Sequence, residues 1–433
     1  MMKKYKLIPL LLGSLLAVSS CSLFNDDDMI ATNSYNPPVS TPSEEEGGVE
    51  AGGVKATTNE NVPGAYVFKN VCYATNETIK NTYATGEKNH NVYNVNSGQD
   101  YYANKASNNY DLYVPEEAPR NSEHTIILFV HGGAWVSGFK TDVNPYVFEF
   151  ANKGFITATI KYTLLKKTMD DPSLSIFRNL DEIDACIASI KSVLKELGFN
   201  TDKAKLAICG FSSGSHLSML YSYSRGKDSP IPLKFVIDCV GPVDIQPESW
   251  KAFYNMDEEA YEHALDEGLS YAKIHALEEG GHLTQLGIAG DEKYWTKYQT
   301  MRIANGMCGI PFSLETVASA LIDPEDEETL DNENEAVISM LEPANGGEAQ
   351  LSVTHWISEE NNFPIICAYA GKDSVVGIGQ FARLEKALLD NHVTYESFYF
   401  RDSGHTDITK ENNPSEYERF VNKVVGWAKG TIE

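Results

Sequence analysis

One run of eight residues, Cys209-Gly210-Phe211-Ser212-Ser213-Gly214-Ser215-His216, constrains this chain more than any other stretch. The apolar segment Lys205-Leu206-Ala207-Ile208-Cys209 leads into it and reads as a buried strand, while Leu217-Ser218-Met219-Leu220-Tyr221 leaves it and reads as a helix. Between them lies G-x-S-x-G, centred on Ser212. A strand that reverses into a helix over so few residues brings two backbones together, and Gly210 and Gly214 carry no Cβ to obstruct that approach. Strand, glycine turn and helix in this order are the setting a nucleophile elbow requires. Taken alone, the motif also describes an ordinary glycine-rich turn, so the rest of the chain has to decide.

The flanking sequence alternates strands and helices. Tyr110 to Pro115 alternates and is stopped by proline. Thr125 to Val130 is continuous and apolar, as a central strand is. Further strands are expected over 155–162, 235–240, 364–370 and 395–400. The clearest helix is 174–198, where Ile176, Leu180, Ile183, Ile187, Ile190, Leu194 and Leu197 recur at steps of three and four, with Gly198 placed to end it. Helices are also expected over 377–391 and 414–429. This pattern predicts an α/β fold with a mostly parallel sheet covered on both faces. Residues 245–355 break the rhythm, with helix-like segments such as 257–277 and no strong strand. They are expected to form a helical cap inserted into the catalytic domain, which would comprise 64–244 and 356–433. The cap aromatics Phe253, Tyr254, Tyr294 and Trp295 read either as pocket lining or as the cap's own core.

Serine is a weak nucleophile and needs a base, which in turn needs an orienting acid. Asp373 follows the strand expected over 364–370, and His405 follows the strand expected over 395–400. Both then lie at the carboxyl ends of parallel strands, the edge at which Ser212 emerges and at which open α/β sheets place their sites. Asp373 could also serve as a helix N-cap, and Asp402 is a rival acid three residues before His405. His216 reads as structural, and His263, His275, His282, His355 and His392 carry no ligand spacing. The developing oxyanion needs preorganised N–H donors. The backbone amide after the candidate nucleophile, Ser213, is one. His131-Gly132-Gly133-Ala134-Trp135 ends an earlier strand and can turn further amides toward a ligand.

At this point the chain resembles a known family. D-L-Y-V-P, H-G-G-A-W-V-S-G, G-F-S-S-G-S-H, G-K-D-S-V-V and S-G-H resemble the α/β-hydrolase esterases related to hormone-sensitive lipase and to the BD-type feruloyl and acetyl-xylan esterases. The resemblance covers roughly 106–244 and 363–428. It implies an α/β-hydrolase fold and a serine carboxylesterase with Ser212 as nucleophile, Asp373 as acid and His405 as base. It further implies oxyanion donors from Gly133, Ala134 and Ser213, with Gly132 shaping the loop and His131 and Trp135 supporting it. The elbow departs from relatives, which often have Ala and Gly where this chain has Ser213 and Ser215. The substrate implied is a small-molecule or polysaccharide-linked ester. A prolyl-oligopeptidase-type peptidase is the alternative enzyme, although no blade-like repeat precedes the catalytic residues. A catalytically silent ligand-binding lipoprotein is the alternative from another class.

The N-terminus reads as a targeting segment. Lys3, Lys4 and Lys6 precede a short apolar run from Leu7 to Val18, too short to span a bilayer stably. Val18-Ser19-Ser20-Cys21 resembles a bacterial lipobox, which would make 1–20 a signal peptide and Cys21 a lipidated residue on the extracytoplasmic face of a cell membrane. Residues 21–63, polar and acidic, are expected to be a disordered tether; a coil of about 40 residues spans roughly 35 Å. The formal net charge of −26 over 433 residues argues against nucleic acid as a partner. No cysteine pair has zinc-finger spacing, and the acidic run Asp323 to Glu335 lacks the glycine of a calcium loop, so neither metal nor cofactor is expected. Cys72 and Cys308 are the one pair considered for a disulfide. The sequence leaves oligomeric state open.

Overall fold

The computed structural model describes residues 48–73, 80–81, 91–92, 109–133, 135, 138–164, 176–244, 350–373, 375–430 and 432. Twelve strands appear among them: β1 (Glu50–Ala51), β2 (Val54–Lys55), β3 (Ala65–Cys72), β4 (Lys80–Asn81), β5 (Asn91–Val92), β6 (Asn109–Pro115), β7 (His124–Val130), β8 (Ile156–Lys161), β9 (Ala204–Phe211), β10 (Leu233–Cys239), β11 (Ile365–Ala370) and β12 (Tyr395–Phe400). The α-helices are α1 (Asn144–Ala151), α2 (Ile176–Glu196), α3 (Ser213–Arg225), α4 (Val353–Trp356), α5 (Ile378–Asp390) and α6 (Pro414–Lys429).

Eight strands form one sheet in the order β12-β11-β10-β9-β7-β8-β6-β3. From β8 to β12 every neighbouring pair is parallel, while β6 and β3 add antiparallel. The alternation of a strand sends successive side chains to opposite faces, and β7 obeys it. Ile126, Leu128 and Val130 enter the core beneath α2, α3 and α5, whereas Ile127 and Phe129 enter the core beneath α1 and α6. β9 lies inside the sheet, with both faces buried and a parallel neighbour on each side. Whatever leaves its carboxyl end is therefore flanked by the ends of β7 and β10.

Helix α2 follows its sequence stripe: Ile176, Leu180, Ile183, Ile187, Ile190 and Leu194 are all buried. It ends before Gly198, whose φ of +80° suits a residue without Cβ, and Phe199 N–H closes back onto Leu194 O at 2.9 Å.

Two expected boundaries move. The packed body begins before Gly64, so the tether does not extend to 63. β1 and β2 form a hairpin whose Ala51 is buried, Gly52 N–H donates to Glu196 Oε2 on α2 at 2.7 Å, and Val62 is buried too. A short apolar hairpin with a surface to cover is enough to order a segment whose average composition is polar. At the other boundary, Leu351 and Val353 are buried and α4 packs on α3, so 350–355 belong with the sheet rather than with a cap. The leader 1–20, Cys21, the rest of the tether, Cys308 and cap residues 245–349 lie outside the described residues.

Candidate active site

β9 delivers Ser212 at its end. The backbone there has φ 52° and ψ −124°, outside the allowed regions for a residue with a Cβ. Such a conformation costs about 1–3 kcal/mol and persists only where its surroundings hold it. They do so tightly. Ser212 N–H donates to Cys239 O at 2.9 Å, and Ser212 O accepts from Ser215 N at 2.9 Å and His216 N at 3.1 Å. A Cβ on Gly210 would stand 2.2 Å from Gly214 O, and one on Gly214 would stand 2.3 Å from the carbonyls of Val130 and His131. The two glycines of G-x-S-x-G are thus fixed by contact with backbone, which cannot give way. An eight-stranded sheet of this order, with such an elbow between its central strand and α3, is the α/β-hydrolase fold.

His405 reaches the hydroxyl from the loop after β12. Its Nε2 lies 2.8 Å from Ser212 Oγ, and its Nδ1 lies 2.8 Å from Asp373 Oδ2. The carboxylate can only accept, so Nδ1 carries the proton, and Nε2 is left with a lone pair to receive the serine proton. Asp373 is held from the other side: its Oδ1 accepts from Val375 N and Val376 N, both at 2.8 Å. The side chains of Asp373 and His405 are 2% and 9% exposed, so water competes little for either bond. Asp373 makes an Asx turn and is not the N-cap of α5, which is Gly377. The rival Asp402 points to the surface, 3.7 Å from Lys372 Nζ.

The two loops that carry this pair are tied together. Lys372 N–H donates to Ser403 O at 2.8 Å, and Ser403 Oγ–H donates to Asp407 O at 2.6 Å. Tyr146, on α1, donates its hydroxyl to Ile408 O while its ring packs on Phe211, the residue before Ser212.

Opposite them lies the loop after β7. A Cβ on Gly132 would come within 2.9 Å of Phe211 O and 3.2 Å of Ser212 Cβ, so this loop runs directly against the elbow. Gly133 has φ +120°. Gly138, at φ +95°, leaves room for Gly132 O and the His131 ring, which a Cβ would meet at 2.2 and 2.7 Å. His131 braces the loop from within. Its Nδ1 donates to Gly132 O at 2.7 Å, and its ring stacks on Tyr162 at 4.3 Å, whose hydroxyl donates to His131 O at 3.0 Å. Burial pushes the His131 imidazole down to about 4, which favours its neutral form. Trp135, at φ 61°, is buried edge-on against His216. Ser213 opens α3, so its amide is one of the first four N–H groups that a helix leaves without intrahelical acceptors, at the positive end of the dipole. Ala134 lies outside the described residues.

His216 turns away from the hydroxyl: its Nε2 donates to Leu351 O at 2.7 Å, and burial again lowers it to about 4. Among the described residues no cluster of His, Cys, Asp and Glu could hold a metal ion, and no helix is long and apolar enough to cross a membrane. Motif reasoning passed over Tyr146, Tyr162 and a buried group at Asp238. The last had a signal: one carboxylate inside the otherwise apolar run Phe235–Val240.

One family model spans the elbow motif. The BD-FAE family model matches residues 110–273, less than half of the chain. Among curated proteins, the non-reducing polyketide synthase atr1 of Stereocaulon alpinum is 23% identical over 141 residues, which is 32% of this chain and 6% of that protein. The non-reducing polyketide synthase Preu6 of Preussia isomera is 26% identical over 139 residues, 31% of this chain and again 6% of the relative. This chain therefore spans a small fraction of the curated relatives it matches. Among solved structures, inhibited esterase B from Lactobacillus rhamnosis aligns with a TM-score of 0.47 at 15% identity, covering 77% of this chain and 84% of that one. A bacterial heroin esterase aligns with a TM-score of 0.45 at 14% identity, covering 75% and 80%. At these scores the likeness is coarse, and the strand order and the elbow carry the fold assignment.

Proposed function

We propose that this chain is a serine carboxylesterase that works through an acyl-enzyme. The observation that carries the reading is the unbroken relay from Ser212 Oγ through His405 to Asp373, two contacts of 2.8 Å each, facing a glycine loop. In acylation, Ser212 Oγ attacks the ester carbonyl while His405 Nε2 takes its proton. Asp373 holds the imidazole in the required tautomer and stabilises the imidazolium. The tetrahedral oxyanion is received by the Ser213 amide and by amides of the loop at Gly133 and Ala134. His405 then protonates the departing alkoxide, and a water activated by the same nitrogen releases the acid.

The BD-FAE match supports esters over other acyl substrates, and with the lipobox-like leader it favours acyl or feruloyl esters carried on polysaccharide outside the cytoplasm. The wild type is expected to be labelled by a fluorophosphonate on Ser212 and to hydrolyse p-nitrophenyl or hydroxycinnamoyl esters. Ser212→Ala should lower kcat by about 10⁵–10⁶-fold with the fold intact. A Ser212→Ala protein of full activity, or a wild type active on dipeptide amides alone, would sink the esterase reading. Anchoring through lipid on Cys21 is part of the proposal. Metabolic labelling with a fatty-acid analogue should mark the wild type and spare Cys21→Ala, and equal labelling of both would remove the anchor.

A further inference from the structure

Behind the elbow lies a buried polar cluster that the relay does not use. Asp238, the last but one residue of β10, is fully buried. Its Oδ1 accepts from Ser215 Oγ–H and from Gly241 N–H at 3.0 Å, and its Oδ2 accepts from Tyr369 O–H at 2.5 Å. Ser215 Oγ accepts in turn from Cys239 N–H at 3.2 Å. The cluster thus joins the first turn of α3, the end of β10 and β11, whose Tyr369 stands four residues before Asp373.

The turn around it is built for this purpose. Val240 has φ +50°, an uncommon conformation for a β-branched residue, and its N–H donates to Ala368 O at 2.9 Å. A Cβ on Gly241 would meet Asp238 Oδ1 at 2.6 Å and Ser215 Cβ at 2.6 Å, so only glycine lets the main chain close on the carboxylate. The same turn accepts the Ser212 N–H on Cys239 O. Two strained residues are therefore each locked by a backbone hydrogen bond to the neighbouring strand, Ser212 after β9 to Cys239 of β10 and Val240 after β10 to Ala368 of β11. Desolvation pushes the Asp238 carboxyl up to about 6, against the pull of its three hydrogen bonds.

We propose that Asp238 is a positioning residue for the reaction: through Ser215 and Tyr369 it fixes the first turn of α3 relative to the acid-bearing strand, and so sets the Ser212 hydroxyl and the Ser213 amide in register with His405. Ser215 is the element of this chain that makes the connection, since its hydroxyl is the one that reaches from the elbow to the carboxylate. The inference rests on Ser212 being the nucleophile.

The test uses Ser215→Ala and Asp238→Asn in the full chain. Misplacement of reacting groups by about 1 Å costs on the order of 10²-fold. Both variants should lower kcat on a p-nitrophenyl ester by about 10–100-fold with KM within about twofold of wild type. The rate of phosphonylation of Ser212 should fall in parallel, and near-UV circular dichroism should be unchanged. Tyr369→Phe, which leaves two donors on the carboxylate, should lose less. Variants that keep wild-type kcat and phosphonylation rate and lose only thermal stability would overturn the proposal, as would a rise in KM alone. If Asp238→Asn does not fold, Ser215→Ala decides. A wild type that turns over no ester refutes the esterase reading by itself, and the phosphonylation rates of the variants then decide the positioning role separately.

Discussion

Two polar clusters sit on the same sheet and differ in what they leave open. On the antiparallel side, Lys140 Nζ donates to Asn70 Oδ1 at 2.7 Å, Asn109 Oδ1 at 2.6 Å and Asp111 Oδ1 at 2.6 Å. Its three protons have three acceptors, and Asp111 Oδ1 takes Asn70 N–H as well. That cluster is closed. At the carboxyl edge of the parallel strands, Asp373 is equally saturated, but the chain of bonds runs on through His405 and stops at Ser212 Oγ, which holds no further partner among the described residues. Saturation holds structure together, and a relay with one open end is available for chemistry.

Two substitutions separate these roles most sharply. Asp373→Asn keeps the shape of the acid but favours the wrong imidazole tautomer. A loss of roughly 10⁴-fold in kcat is expected, with little change in the urea midpoint. Lys140→Met should do the reverse. It leaves the Asp111 carboxylate buried without its cation, which costs about 3–5 kcal/mol of unfolding free energy, while kcat stays within about twofold. If Lys140→Met abolished ester hydrolysis at full stability, the contrast between the clusters would collapse.

A smaller effect concerns the buried imidazoles. His216 is pushed down to about 4, against about 6.5 when exposed. Between these values the unfolded chain binds a proton that the folded chain refuses, so stability falls as pH drops from 6.5 toward 4. Asp238, raised to about 6, works in the opposite sense: the folded chain holds its proton more firmly between pH 6 and 4, and stability rises as pH falls. His216→Gln removes one of the first kind. Its loss of stability between pH 7 and 4.5 should be about 2–3 kcal/mol smaller than that of wild type, measured by urea unfolding at the two pH values. Equal losses would show that His216 does not titrate in this window.

Much of this architecture was legible because it is local. Strands such as β7 and helices such as α2 declare themselves through period, and Ser212, Asp373 and His405 each follow a strand within a few residues, so order along the chain translated into position on one edge. What escaped notice is what depends on distance in sequence. Lys140 meets residues about 30 and 70 positions away, and Asp238 meets Tyr369 across 131. Helix α1 was missed for another reason. Eight residues, Asn144–Ala151, are too few to display a periodicity, although Pro145 at its start was a readable sign. The hairpin β1–β2 was misread because composition averaged over 21–63 hides Val49, Ala51 and Val54, which pack on the core.

The point where the chain quits the sheet after β10 and the point where it comes back are stapled to each other. Val353 N–H donates to Val243 O at 2.7 Å, Ser352 Oγ–H donates to Asp244 Oδ1 at 3.0 Å, and Gln380 Oε1 receives the amides of Val243 and Asp244. The body of the protein thus bears the cost of bringing the two ends together, and doubling the length between them adds only about 0.6 kcal/mol of closure entropy. A change in the length of the segment joined at that collar therefore need not strain the bonds that hold Val243 and Asp244 to Ser352, Val353 and Gln380.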